Sequence, residues 1–524
     1  MNKLKSMLKR AIQLLIVISA NIYFLNAQTD FQPMYWGGEI FKPASGTTFH
    51  TIGNWNEGIL LQSKTSSKIF SSGKTFVQRV DNMTLLPQYT KEVKLESSKG
   101  NKPLEYQVMT RMGENPILFA TYFNKDKNKI ELYGRKYDLE GEPTEKEKKI
   151  AEFSATRKQQ IEAMNFVASE DSTSMLTYFT EKFDKYENEK IDFHLFDKNL
   201  EERWNRNIEF PYKGKNFSIF RVKLAPSGRV YLLVKVFKEQ ENQKKANVFR
   251  YGVVTFSEDT SLIEDYGIEL GNEFINDIDF SIDSIGNVVC AGLYSTIGLN
   301  NASGSFFIKI DREKKQITEQ VLTPFETDFA AQFNEGTRYR NRTEISDFKM
   351  DHLVHFKDGS YALVAEQFIF DEVCFTDFRT GMISCTNYYY YNNIVVVKML
   401  KNGEVEWAAN IPKFQESVND YGVYSSYAFG VSGNAMYFVF NENEDNLKIN
   451  DQKQMQAMTK IRGAIQVVCK LNSNGSFSRK ALSGDKKKSN FYFVPENSSQ
   501  ISENSLLLMG FTNNKFRLGV LPLE

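Results

Sequence analysis

Three arginines stand on alternate positions at Arg338, Arg340 and Arg342, and on an extended segment that spacing points all three guanidinium groups one way. Such forks grip carboxylate and phosphate oxygens in pairs. Asp351 directly precedes His352, bringing together the carboxylate and imidazole that acid–base chemistry uses. His355 lies three residues further on, which on a strand is the opposite side, so a metal shared by the two histidines is disfavoured. Tyr388, Tyr389, Tyr390 and Tyr391 are consecutive, and Tyr424 adds to a second aromatic stretch. Tyrosine offers contact area and a hydroxyl at low entropic cost, which suits protein or glycan recognition. Each group also has a plain reading: arginines on a solvated face, a rim histidine, and a strand with two tyrosines inside and two outside.

Other chemistry is sparse. The chain has no Gly-x-Ser-x-Gly and no His-Glu-x-x-His, and Gly73-Lys74-Thr75 lacks the leading glycine of a phosphate loop because Lys68 stands there. The oxygen-rich run 441–446 (Asn-Glu-Asn-Glu-Asp-Asn) offers calcium ligands but not the glycine and closing glutamate of an EF-hand. No cofactor is expected, and calcium is the one ion the pattern admits. Cys374 and Cys385 are close enough in sequence to close a disulfide, whereas Cys290 and Cys469 sit in apolar stretches and read as small core residues.

The elements that must position these residues follow from a repeat. From about residue 47 onward a strand–turn–strand–loop–strand–turn–strand unit recurs, with second strands predicted to begin near Gly58, Pro116, Thr173, Arg229, Gly286, Ser360, Asn434 and Ser505. Four short strands per period are the mark of a β-propeller blade. The fold class is therefore all-β: an eight-bladed propeller of four antiparallel strands per blade, with seven blades as the alternative because 155–178 reads poorly and Arg157 to Met164 resembles a helical turn. The last unit lacks a fourth strand, and residues 35–41 supply a spare one that would close the ring. The longest connections, 324–347, 371–393, 413–425 and 441–462, all fall on one face by strand counting, over blades six and seven. Long loops on a rigid scaffold are where binding concentrates. Asp451 to Ile461 reads as a short helical insertion.

Residues 1–27 read as a signal peptide, with Lys3, Lys5, Lys9 and Arg10 before an apolar stretch and Leu25-Asn26-Ala27 before the cleavage point. Residues 28–34 form a short linker and 35–524 a single propeller domain. Export to the periplasm or beyond follows, with no membrane span after cleavage. Without the leader, 61 basic face 65 acidic residues, a net charge of −4, so there is no basic excess to hold nucleic acid.

The runs Phe356-Lys357-Asp358-Gly359-Ser360-Tyr361, Glu366-Gln367, Tyr388 to Tyr391, Asn402 to Trp407 and Ile411 to Gln415, with the leader ending Asn26-Ala27-Gln28, resemble exported, largely uncharacterised β-propeller-like proteins of Bacteroidota-type bacteria. The resemblance implies an envelope or secreted location and carries no catalytic residues. The expected function is a non-catalytic binding or scaffold propeller recognising a protein or glycan through its loop-rich face. The alternative is an extracytoplasmic hydrolase of polysaccharide or peptide.

Overall fold

The computed structural model describes residues 34–42, 47–65, 73–95, 104–180, 185–237, 249–258, 263–334, 344–449, 451, 454–482 and 491–524. The expected leader and Arg338, Arg340 and Arg342 lie outside them. Among the described residues, eight antiparallel sheets of four or more strands follow one another along the chain, and all but the last are built from strands that lie close together in sequence. The second sheet is representative: Glu105–Met112, Asn115–Asn124, Lys129–Lys136 and Lys148–Ser154 pair in that order. Second strands begin at Gly58, Asn115, Ser174, Val230, Val288, Tyr361, Ala435 and Ser505, each within two residues of its expected start. Apart from the outer half of Tyr361–Thr376 they are largely buried and mostly apolar, as strands covered on both faces must be. The segment 155–178 that read poorly contains a 3-10 turn, Lys158–Ala163, followed by two strands of the third sheet, Met164–Ala168 and Ser174–Thr180.

First strands of neighbouring sheets meet around an axis, as Phe274–Ile282 meets Phe348–His355 and Thr48–Trp55 meets Glu105–Met112. The hydrophobic cores lie between successive sheets. Val364 and Val396 of the sixth pack with Phe438, Val467 and Cys469 of the seventh, and Phe49 and Leu61 of the first pack with Leu507 and Phe516 of the last. The last sheet receives its outer strands from the N-terminal segment: Tyr35 pairs with Val520, Trp36 with Gly519 and Ile40 with Phe516.

Three expectations about the insertions need correction. Residues 371–393 are not a loop. They extend the second and third strands of the sixth sheet, Tyr361–Thr376 and Ile383–Met399, into a hairpin arm paired out to Thr376 and Ile383. Their β-branched and aromatic residues favour a pleated ribbon, and the turn suits it: Asp377 Oδ1 accepts from Arg379 N and Thr380 N, and Gly381 takes φ +69°. Within 324–347 an α-helix, Thr327–Asn334, seats Phe329 and Ala330 in the core beneath it. Among the described residues 451–461 form no α-helix; Met455 and Met458 are buried individually, and Met458 bridges Gln415.

Candidate functional site

The arm is the most elaborated feature over the sixth and seventh sheets. Cys374 and Cys385 lie directly opposite and form a disulfide. Directly opposed residues share a face, so one face carries the contacts Phe368–Tyr391 at 4.8 Å and Phe370–Tyr389 at 5.2 Å, while Tyr388 stacks beside Tyr390 on the other. The four tyrosines therefore alternate as a strand requires, and all are half-buried.

The neighbouring insertion completes the base of the arm. Gln415–Val418 pairs with Tyr388 to Tyr391 as a third strand, and Asn419 N continues the ladder to Asn387 O. Tyr421 lies 6.3 Å from Tyr389, and the ring of Tyr391 packs over Gly422. The insertion 441–462 joins through Met458, whose N–H donates to Phe414 O and whose carbonyl accepts from Glu416 N.

Beyond this base the arm is bare. Residues Phe370 to Thr376 are seven consecutive exposed positions. At the tip Phe378 is 95% exposed, Met382 71%, Ile383 68% and Phe375 67%. A contiguous apolar tip on a protruding ribbon has no folding role that burial could reward, and such patches mark interaction sites. Asp371, Glu372 and Asp377 against the single base Arg379 make the arm acidic.

Under the arm a polar network ties the two sheets. The fully buried Lys413 pairs with Glu366 at 2.7 Å and also donates to Tyr391 O and Gln415 Oε1. Ser426 Oγ donates to Glu366 Oε2 at 2.7 Å, and Gln415 Nε2 to Asn441 O. Burial lowers the proton affinity of Lys413 while Glu366 opposes that shift.

Asp351 is the extra residue of a β-bulge between Met350 and His352, and a bulge re-aims a side chain. Its carboxylate accepts from Tyr427 Oη at 2.6 Å. It lies on the first strand of the sixth sheet, open to solvent on one side and enclosed by protein on the other. Enclosure first, and the Glu366 charge second, push its pKa up to about 7. His352 does not pair with it. Its ring stacks on Phe429 at 4.3 Å, and burial pushes its pKa down to about 4, so it is neutral near pH 7. His355 instead stacks on Tyr361 at 4.5 Å. Tyr424 stands apart, edge-on to Tyr492 and beside Lys42 at a cavity of about 500 Å3.

The calcium reading of 441–446 does not fit the side chains. Glu442 Oε1 accepts from Asn443 N and Asn446 Nδ2, Asn446 Oδ1 accepts from Gln456 N, and Asn441 donates to Tyr424 O and Phe493 O. These groups hold the insertion together rather than converge on one point. Among the described residues, possible ligand atoms converge at Glu372, Cys374 and Cys385, where the two sulfurs are bonded to each other.

The structure thus brings Tyr388 to Tyr391 and the disulfide together, sets Asp351 and His352 beneath them, and leaves Tyr424 on a separate surface. Sequence reasoning missed the network of Glu366, Lys413 and Tyr427, whose meeting depends on packing between sheets. It also missed the tip residues Phe375, Phe378, Met382 and Ile383, although apolar residues around Thr380-Gly381 were a usable signal for an exposed hairpin end.

The sheets and their common axis define the class: a β-propeller. No protein-family model matches the sequence, and no curated protein does. Similar solved structures include the β-propeller domain of the Trilobed protease from Pyrococcus furiosus, at 10% identity and TM-score 0.34, covering 87% of this chain and 100% of that one. The WD40 domain of SCAP from fission yeast matches at 10% identity and TM-score 0.37, covering 94% and 98%. Prolyl oligopeptidase B from Galerina marginata matches at 9% identity and TM-score 0.38, covering 89% of this chain and 55% of that one. At these values they carry no argument about activity, and the fold assignment rests on the strand pairing itself.

Proposed function

We propose that this chain is an exported, non-catalytic binding propeller of eight blades, closed by its N-terminal strands, which recognises a protein partner through the hairpin arm over blades six and seven. The carrying observation is the exposed apolar tip, Phe375, Phe378, Met382 and Ile383, on a disulfide-clamped ribbon. A protein partner suits that chemistry better than a glycan, whose hydroxyls would find few partners there. The disulfide also fits an oxidising compartment.

The experiment compares the parent with Phe378→Ser/Met382→Ser, both immobilised and exposed to the exported fraction of the source cells. A partner retained by the parent and lost by the variant is the expected result. Equal retention by both, or a thermal shift with soluble glycans that the variant keeps, would overturn the reading. The hydrolase alternative draws on Asp351, and it predicts product release that Asp351→Asn abolishes while the tip variant retains it.

A further inference from the structure

The two long edges of the arm are not equivalent. The return strand Ile383–Met399 is covered by Gln415–Val418, and the ladder runs on to Asn387. The outgoing strand Tyr361–Thr376 pairs on its outer side with Phe348–His355 only as far as Gln367, after which Phe368 N donates to Asp347 O. Beyond Phe368 no described residue pairs with that edge.

Antiparallel geometry says which backbone groups are left open. Consecutive residues of a strand point their N–H and C=O groups alternately toward one neighbour and the other. Since Phe368 N–H points outward, Phe370, Glu372, Cys374 and Thr376 do too. Two observations agree. The Cα atoms of Cys374 and Cys385 are 4.0 Å apart, the close spacing of a pair that does not exchange hydrogen bonds. Asn387, opposite Glu372, directs its own N–H and C=O away, to Asn419. A row of open donors and acceptors on an extended edge is a template for one more strand.

We infer that this edge, Phe370 to Thr376, takes up an extended segment of a partner protein as an added β-strand. The inference rests on the arm being the recognition site and names the partner's chemistry there. Asp371 and Glu372 lie side by side on the edge and face opposite sides of the ribbon, so the added strand presents two consecutive basic residues, one to each carboxylate. Val373 and Phe375 share the Asp371 side, which asks for apolar residues beside that basic pair. A second copy of this chain is the wrong occupant, because edge-to-edge pairing would gather four carboxylates in one short ladder.

The test selects a phage-displayed library of twelve-residue peptides against the purified chain, then synthesises the enriched sequences. Expected are peptides carrying adjacent Lys or Arg between apolar residues, with affinity falling at least tenfold when alternate peptide nitrogens are N-methylated. Glu372→Pro removes an outward N–H without touching the arm's own ladder and should abolish binding. Glu372→Gln should weaken it severalfold, and Phe378→Ser/Met382→Ser should weaken it less than Glu372→Pro. N-methylation supplies the readout even if the proline variant folds poorly. Tight binding indifferent to N-methylation and to Glu372→Pro but lost in the tip variant would overturn strand addition while leaving the arm as the site. Binding indifferent to all three variants, or no enriched sequence, would overturn both.

Discussion

Lys413 Nζ lies 2.7 Å from Glu366 Oε1, with the lysine side chain wholly inaccessible to solvent and the glutamate nearly so. The lysine also donates to Tyr391 O at the base of the arm. This ion pair therefore joins the second strand of the sixth sheet to the ladder from which the arm projects. Charges removed from water persist only when matched, and here the match also fixes the arm's direction.

Removing one partner should show it. Lys413→Met strands the Glu366 carboxylate and is expected to cost about 3–5 kcal/mol, as broken buried pairs do. The double variant Lys413→Met/Glu366→Met should regain most of that loss. Urea unfolding midpoints measure both, and a Lys413→Met loss under about 1 kcal/mol would mean that water reaches the pair.

Asp351 sets a pH dependence of definite sign. Its folded pKa of about 7 lies above the ordinary 3.8, so the folded state holds the proton more tightly. Stability from this group is greatest below pH 4, declines between about pH 4 and pH 7, and is flat above that. Asp351→Asn should remove that part of the decline, so that parent and variant unfolding temperatures diverge in the variant's favour as pH rises from 5 to 8. Parallel curves would place the titration elsewhere.

Reducing Cys374–Cys385 should loosen the arm and leave the ring intact. The bridge spans a sequence separation of 11, and loop closure of that length is worth about 2–3 kcal/mol. That stabilisation belongs to local opening, because the arm lies outside the clusters between sheets. The expected outcome is faster amide exchange at Val373 and Thr386 and cleavage within 369–391, with a global unfolding temperature shifted by no more than about 2 °C. A large global shift would mean that the arm contributes to the core.

Deleting residues 1–41 tests closure. Without Tyr35, Trp36 and Ile40 the strand Lys515–Pro522 loses its outer partners. An open edge on a strand with Phe516, Leu518 and Leu521 buried invites association. Light scattering should report oligomers, alongside a lower unfolding temperature. A monomer of unchanged stability would show that the N-terminal strands are dispensable.

Much of the scaffold could be read from residues in order. Apolar second strands bounded by Gly, Asn and Asp turns are local signals, which is why their starts were placed to within two residues and why 35–41 stood out as a spare strand. The hairpin character of 371–393 is partly legible in its β-formers, but a long connection carries no local mark that separates an extended hairpin from an irregular loop. What the sequence determined by itself was periodicity, the closeness of Cys374 and Cys385 along the chain and the absence of familiar catalytic motifs, since these depend on neighbours along the chain. Only the tertiary structure decided that Lys413 meets Glu366, that a bulge turns Asp351 to Tyr427 rather than to His352, and that among the described residues one edge of the arm is covered while the other has no partner beyond Phe368. Those relations join residues between 24 and 76 positions apart, often across two sheets, and pairing at that range is set by how the sheets pack, for which no residue carries a local mark.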